Sequence, residues 1–326
     1  MKKLLRRLPR PLLDRVRGAR KRYRSARYRA RERIAPVSVD RDQIAQVLRD
    51  AGLKPGDSAL VQSKMSAFGT IEGGPQTVID AFDQVLGGEG LIVMPAFPLD
   101  RPALEYLRQD PVFDLHNTPS RMGAISEVFR TSAGTVRSLH PTHSISARGS
   151  GAEELVAGHE RAETPFGAGT PFARLIERGA HQVWFGSGVA ALTIYHAFEC
   201  TREPPYPIEV FWPQRIRSRC IDADGNDVVV ETLVHDPRVV AGRVDNDPRV
   251  EERVRERLIA GGLRSLRLGR GEVLVQSMQE MVEQFELMLG EGMTIYPTEL
   301  LTEARDGGAE QSGAAPIARR QAGGFR

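Results

Sequence analysis

His196 and Glu199 stand three residues apart in Tyr195-His196-Ala197-Phe198-Glu199. On a helix, residues at i and i+3 share a face. An imidazole beside a carboxylate makes a base with an orienting partner. The carboxylate fixes the tautomer and stabilises the imidazolium, and the other ring nitrogen takes a proton. The same spacing is also common in solvated surface pairs, so spacing alone leaves both readings open. Cys200 follows directly, but no basic neighbour activates it, and it reads as a packed thiol.

Three other stretches carry residues of chemical interest. The first places Ser63, Lys64, Ser66, Gly73 and Gly74 between a strand end and a helix start. Free amides and a positive helix terminus there suit a phosphate. Neither GxxxxGK[ST] nor GxGxxG is present, and a tight turn needs glycine in any case. The second is Ser138-Leu139-His140-Pro141-Thr142-His143-Ser144. Its two histidines could hold a metal, contact a phosphate-bearing ligand or shape a pocket wall. There is no HExxH and no third ligand nearby, so no metal is expected. The third runs from Thr164 to Pro171, where glycines and prolines shape a loop that is either a pocket wall or a plain connector.

The elements that must position these residues follow from periodicity. Residues 39–51 read as a helix capped by Asp40 or Asp42, with Ile44, Val47 and Leu48 on one face and Gly52 as the stop. Residues 58–62 read as a strand, 75–86 as a helix and 91–95 as a strand. Strand, glycine loop, helix, strand is a βαβ unit and predicts a parallel pair. Further helices are expected over 122–131, 172–178, 192–201, 250–260 and 279–289, with strands over 144–148 and 181–185. The β-rich stretch 209–219, the turn Ala223-Asp224-Gly225-Asn226 and residues 228–233 predict a β-hairpin.

Charge is unevenly distributed. Residues 1–35 carry 15 basic side chains against two acidic ones, a net of +13, whereas the other 291 residues carry 30 basic against 40 acidic, a net of −10. The basic arm fits an interfacial helix on anionic lipid, or a solvated extension; a nucleic-acid-binding arm is the least favoured reading. No run of about 18 apolar residues is present, and no secretory pattern is visible. The expected setting is cytoplasmic, with the inner membrane face as the alternative. Two cysteines without CxxC spacing argue against a disulfide scaffold or a zinc cluster. Beyond about residue 301 the tail lacks an apolar pattern and reads as disordered.

The order of these motifs resembles the aminoglycoside 3-N-acetyltransferase family. Val61 to Pro95 is similar to that family's V-H-S-S-L-S, G-x-V-x-G-G loop, helix and strand ending in M-P. Thr118-Pro119-Ser120-Arg121-Met122-Gly123-Ala124 is similar to its T-x-S-x-M-G-A segment. The His140 loop, the 164–171 loop, Gly186 and Gly188, His196 with Glu199, and Val275-Gln276-Ser277 follow in family order. The resemblance covers about residues 39–290. It implies an α/β three-layer sandwich, a central mixed sheet flanked by helices with the hairpin as an insertion, over residues 36–300. It also implies acetyl transfer from acetyl-CoA to an amine, without a metal. By the same resemblance His196 and Glu199 are the catalytic pair. Ser63, Lys64, Ser66, Gly73, Gly74, Thr118, Ser120, Met122, His140, His143 and Ser144 fall on the loops near the cosubstrate.

Two departures bear on the acceptor. Gln62 stands where many relatives have His, and Lys64 where they have Ser. Arg215, Arg217 and Arg219 lie close together, whereas an aminoglycoside is polycationic and wants an acidic cleft. The expected acceptor is therefore the primary amine of an amino sugar or a lipid-linked biosynthetic molecule rather than a drug. The alternatives are an aminoglycoside-modifying enzyme and a catalytically silent binding protein of the same fold. Oligomeric state is not legible.

Overall fold

The computed structural model describes residues 35–243, 247–297 and 299–301, with four isolated positions (18, 19, 23 and 26) ahead of them. The expectations of a membrane-surface arm and a disordered tail therefore lie outside the described residues. Among the described residues no helix is long and apolar enough to cross a membrane.

The chain starts with a short strand, β1 (Ser38–Val39), and helix α1 (Arg41–Asp50). Of the two aspartates that could cap α1, Asp40 does so. Its carboxylate accepts from the Gln43 amide at 2.8 Å, and the Gln43 side chain accepts in return from the Asp40 amide at 3.0 Å. Asp42 sits in the first turn, where a negative charge meets the positive end of the helix dipole. Asp40→Ala removes half of this capping box and should destabilise the fold by about 1 kcal/mol. Chemical denaturation should show a lower midpoint at unchanged slope; an unchanged midpoint would contradict the capping role.

The predicted βαβ unit is present as β2 (Ser58–Ser63), β3 (Thr70–Ile71), α2 (Pro75–Leu86) and β4 (Leu91–Pro95). β2 and β4 pair in parallel, with Ala59 opposite Ile92, and β3 pairs in parallel with β1. Next come α3 (Ala103–Leu107), β5 (Phe113–Asp114) and α4 (Ala124–Thr131). Helix α4 begins two residues later than expected because Gly123 adopts φ 121°, a left-handed conformation closed to ordinary helix starts. The chain continues through β6 (Val136–Arg137), β7 (Ile145–Gly149), α5 (Ala152–Val156), α6 (Pro171–Glu177), β8 (His181–Phe185) and α7 (Thr193–Thr201). Then follow β9 (Ile216–Ile221), β10 (Asp227–Thr232), α8 (Pro237–Gly242), α9 (Pro248–Ala260), β11 (Arg264–Leu268), β12 (Gly271–Ser277) and α10 (Met278–Gly290).

Seven strands form the central mixed sheet in the order β11-β12-β8-β2-β4-β7-β6. The inner pairs β8–β2 and β2–β4 are parallel, and the outer pairs are antiparallel. Alternate residues of each strand supply the two faces. Ala59 and Val61 of β2, with Ile92, Met94, Val183 and Phe185, pack under α1, α2 and α4. Leu60, with Val93, Trp184 and Leu274, packs under α6, α7, α9 and α10. These two cores make the three layers of the expected α/β sandwich.

The hairpin is also present: β9 and β10 pair antiparallel from Ile216↔Thr232 to Ile221↔Asp227, and β5 joins β9 in parallel. It is shorter at its start than the β-rich composition suggests. Pro213 cannot donate to a ladder, so upstream of it only Phe211 makes an isolated bridge, to His235.

Candidate active site

Helix α7 carries His196 and Glu199, and its start is pinned to the sheet. The Trp184 indole donates to the Ala191 carbonyl at 2.9 Å, and Gln62 Nε2 donates to Thr193 Oγ1 at 2.8 Å. Gln182 Nε2 in turn donates to Gln62 Oε1 at 3.2 Å. The departure at position 62 therefore serves as a tie between β2 and α7. Six consecutive residues of α7, Ile194 to Glu199, are buried. The pair is not a solvated surface pair: the Glu199 side chain is 0% exposed and that of His196 is 9% exposed.

His196 Nδ1 lies 2.8 Å from Glu199 Oε2, and Arg243 Nη1 lies 3.1 Å from His196 Nε2. A guanidinium only donates, so Nε2 is the acceptor and Nδ1–H donates to Glu199. This is the tautomer a base needs, with its lone pair on the outward nitrogen. Burial is the largest influence on both groups. It would raise Glu199, but the charge and hydrogen bond of His196, with the charge of His235, override it and hold the carboxyl at about 2. Burial lowers His196 to about 4; Glu199 pulls it up, while His235 and Arg243 push it down. At neutral pH the pair is a carboxylate and a neutral imidazole.

His235 completes the cluster. Its Nε2 is 3.6 Å from Glu199 Oε2, and its ring lies 4.4 Å from that of His196. Potential metal donors of His196, Glu199 and His235 lie within 4.8 Å of one another. Nδ1 of His196 and the Glu199 carboxylate meet at hydrogen-bond length, 2.8 Å. The 164–171 loop forms part of the wall: buried Phe166 packs against His143, His196 and His235 at ring distances of 4.8, 5.1 and 5.7 Å. Thr170 of the same loop caps α6.

The histidine loop lies behind this wall. His140 and Ser144 are wholly buried, and His143 packs edge-on against Phe97. His140 Nδ1 accepts from the amides of Thr142 and His143 at 3.3 and 3.1 Å. Burial holds His140 and His143 well below the ordinary imidazole value. Buried Arg137 ties this loop to the Thr118 segment, donating to Ser144 Oγ, to the carbonyl of Thr118 and to that of Ala96. Burial brings its guanidinium down to about 9. Thr118 Oγ1 accepts from the Asp114 amide, Ser120 Oγ accepts from the Met122 amide, and half-buried Met122 packs on the core.

In the first motif Lys64 and Ser66 are exposed, and Ser63 is half-buried. The Lys64 amide donates to the Phe185 carbonyl, joining the motif to β8. Gly73 and Gly74 have φ of 74° and 71° at the start of α2. A Cβ at Gly73 would lie 2.4 Å from Thr77 Oγ1, whereas one at Gly74 would meet nothing within 4 Å. The positive φ calls for glycine at both positions, and the space around 74 is open. Cys200 is a packed thiol, as expected: burial raises it to about 12.

Sequence reasoning missed His235 and Arg243. His235 has one local signal, because Asp236-Pro237 is a capping aspartate followed by an N1 proline and fixes a helix start right behind it. Arg243, just beyond the end of α8, carries no such signal. The arginine cluster needs correction. Arg215, just before β9, and Arg217 and Arg219 within it alternate along the chain, and each meets a carboxylate: Glu163 at 2.7 Å, Glu231 at 3.1 Å and Asp227 at 2.7 Å. The cluster is a row of neutralised pairs, so it no longer argues against a cationic acceptor. Next to His235 lies a cavity of about 830 Å³ lined by Phe211, Trp212, Glu163, Glu209, Asp236 and Arg238, among others.

The family model described as Aminoglycoside 3-N-acetyltransferase matches residues 60–289. The chain belongs to this family. The match runs from β2 into α10, so it takes in the His196–Glu199 pair and all the loops above, and leaves the basic arm outside. Aminoglycoside N(3)-acetyltransferase VII of Streptomyces paromomycinus is 32% identical over 180 residues, 51% of this chain and 62% of that protein. The chain thus spans about three-fifths of the length of that relative. Among solved structures of the aminoglycoside acetyltransferases, AAC(3)-Xa is 26% identical with a TM-score of 0.63, over 76% of this chain and 91% of that one. AAC-VIa bound to sisomicin is 26% identical with a TM-score of 0.66, over 78% and 98%.

Proposed function

We propose that this chain transfers an acetyl group from acetyl-CoA to a primary amine of an aminoglycoside-type amino sugar. His196 is the base and Glu199 its orienting partner. The observation that carries this reading is the buried His196–Glu199 contact of 2.8 Å in a member of this family. Most amines are protonated near neutral pH and must lose a proton before they attack a thioester. The substrate ammonium takes the place of the Arg243 guanidinium at His196 Nε2 and gives up its proton there. Glu199 stabilises the imidazolium that forms, which offsets part of the burial that disfavours it. Acetyl-CoA supplies the activated acyl group: the C–N bond forms as the C–S bond breaks. The proton held on Nε2 passes to the leaving thiolate, and the freed Nε2 takes the second proton from the new amide nitrogen and releases it to solvent.

Two observations support a cationic acceptor over the anionic or lipid-linked amine expected from the arginines. Those arginines are paired, and exposed Glu209 at the cavity rim has no ion-pair partner among the described residues. A fit for the cosubstrate phosphates is offered by exposed Lys64 and Ser66, beside the start of α2. His140 and Ser144 would form the wall behind and not touch it, because both are wholly buried. The test is release of the CoA thiol by the purified chain with either sisomicin or glucosamine as acceptor. Faster turnover of sisomicin, by tenfold or more in kcat/KM, is expected. Equal or better turnover of glucosamine would overturn the acceptor assignment.

A further inference from the structure

The two oxygens of buried Glu199 are unequally provided for. Oε2 accepts from His196 Nδ1–H and faces His235 Nε2 at 3.6 Å, while Oε1 has no hydrogen-bond partner. His235 Nε2 also lacks a formed partner, as does the hydroxyl of Tyr296, which faces the same carboxylate. A buried carboxylate held by one donor is poorly compensated; it then takes up a proton or turns toward another donor. Either change would release His196 from the tautomer a base requires.

His235 is built to prevent this. Its backbone is clamped by the bridge to Phe211, by the Trp212 amide donating to Val234 at 2.8 Å and by the Asp236 amide donating to Val210 at 2.9 Å. Its ring stacks on Phe211 at 4.8 Å with planes 30° apart. These contacts leave Nε2 aimed at the carboxylate. At 3.6 Å the contact is longer than a formed hydrogen bond, and contacts of this kind tighten when substrate binds.

We propose that His235 is a positioning residue: its Nε2–H holds the Glu199 carboxylate ionised and aimed at His196, and so keeps the His196 lone pair on Nε2. The proposal rests on the reading of His196 as the base. Two substitutions separate donor from packing. His235→Phe keeps a ring against Phe211, Phe166 and His196 but removes the donor, whereas His235→Gln keeps a donor at nearly the same reach. In His235→Phe, kcat should fall about tenfold or more with the KM for acetyl-CoA within twofold, and His235→Gln should recover most of the loss. A kcat for His235→Phe within twofold of the parent, or a Gln variant no better than Phe, would overturn the proposal.

A measurement on the unaltered chain decides the matter without activity or substitution. Nitrogen-15 spectra of the histidine rings should show His235 as the Nε2–H tautomer and His196 as the Nδ1–H tautomer. A His235 ring protonated on Nδ1 alone would overturn the proposal. The base reading fails by a different result: His196→Gln with unimpaired turnover.

Discussion

Replacing His196 by glutamine should lower turnover by about 10²–10⁴-fold, the usual range for a positioned general base. Glutamine fills most of the ring's place and can still accept from Arg243, so the buried site should not collapse. What it loses is the one lone pair able to take a proton from an ammonium. The loss should fall on kcat and on kcat/KM alike, because the interaction is made only as the proton moves. The KM for acetyl-CoA should change little, since the residues suited to the cosubstrate lie on the loops around Lys64 and Gly74. Thermal unfolding of the variant within a few degrees of the parent would show that the fold is intact. Turnover of the variant within threefold of the parent would remove the base.

Acid should unfold this protein through its buried histidines, in a window set by their depressed proton affinity. His159 is wholly buried, and both ring nitrogens are in use. Nε2–H donates to the Pro165 carbonyl at 3.0 Å, and Nδ1 accepts from Ser138 Oγ at 2.9 Å, because that hydroxyl already accepts from the Ile145 amide. Burial, the largest cause, lowers it from 6.5 to about 4, and His140 and His143 are also driven well below 6.5. Between about pH 6.5 and 4 the unfolded chain binds protons that the folded chain refuses, so stability rises with pH there. It is fully present above 6.5 and is lost as pH falls through the window. For His159 alone the loss is roughly 3 kcal/mol by pH 4, against a total stability of about 5–15 kcal/mol for an ordinary domain. Urea midpoints measured from pH 7 to pH 4.5 should therefore fall steeply, and His159→Gln should fall less steeply than the parent. A parent midpoint that stays flat over this range would contradict the account.

Much of the frame is legible in the sequence, for reasons that differ along the chain. The βαβ unit at 58–95 is read correctly because its strands have apolar centres, Ala59–Val61 and Leu91–Met94, its helix is amphipathic and Gly74-Pro75 marks the helix start. The β9–β10 hairpin is read from the Asp224-Gly225 turn. β11 escapes because Arg264–Leu268 alternates charge and apolar character over only five residues, and the antiparallel pairing that makes it a strand is supplied by β12. Within the site, the pairing of His196 with Glu199 follows from helical spacing, but its burial does not, because that depends on α7 being enclosed by β8, α6 and α10. His235 and Arg243 lie 36 and 44 residues beyond Glu199 and meet the His196–Glu199 pair only through the fold. The three arginines at and just before β9 mislead for the same reason. Glu231 and Asp227 face two of them only because of the hairpin register, and Glu163 comes from a separate loop.

The most direct test is mass spectrometry of sisomicin incubated with acetyl-CoA and the purified full chain, wild type beside His196→Gln. The account predicts that wild type adds a single acetyl group at a nitrogen, with one CoA thiol released per product. It predicts that the variant, folded to the same degree, is slower by at least a hundredfold. Acetylation at equal rates by both proteins would contradict it, as would no acetylated product from the wild type.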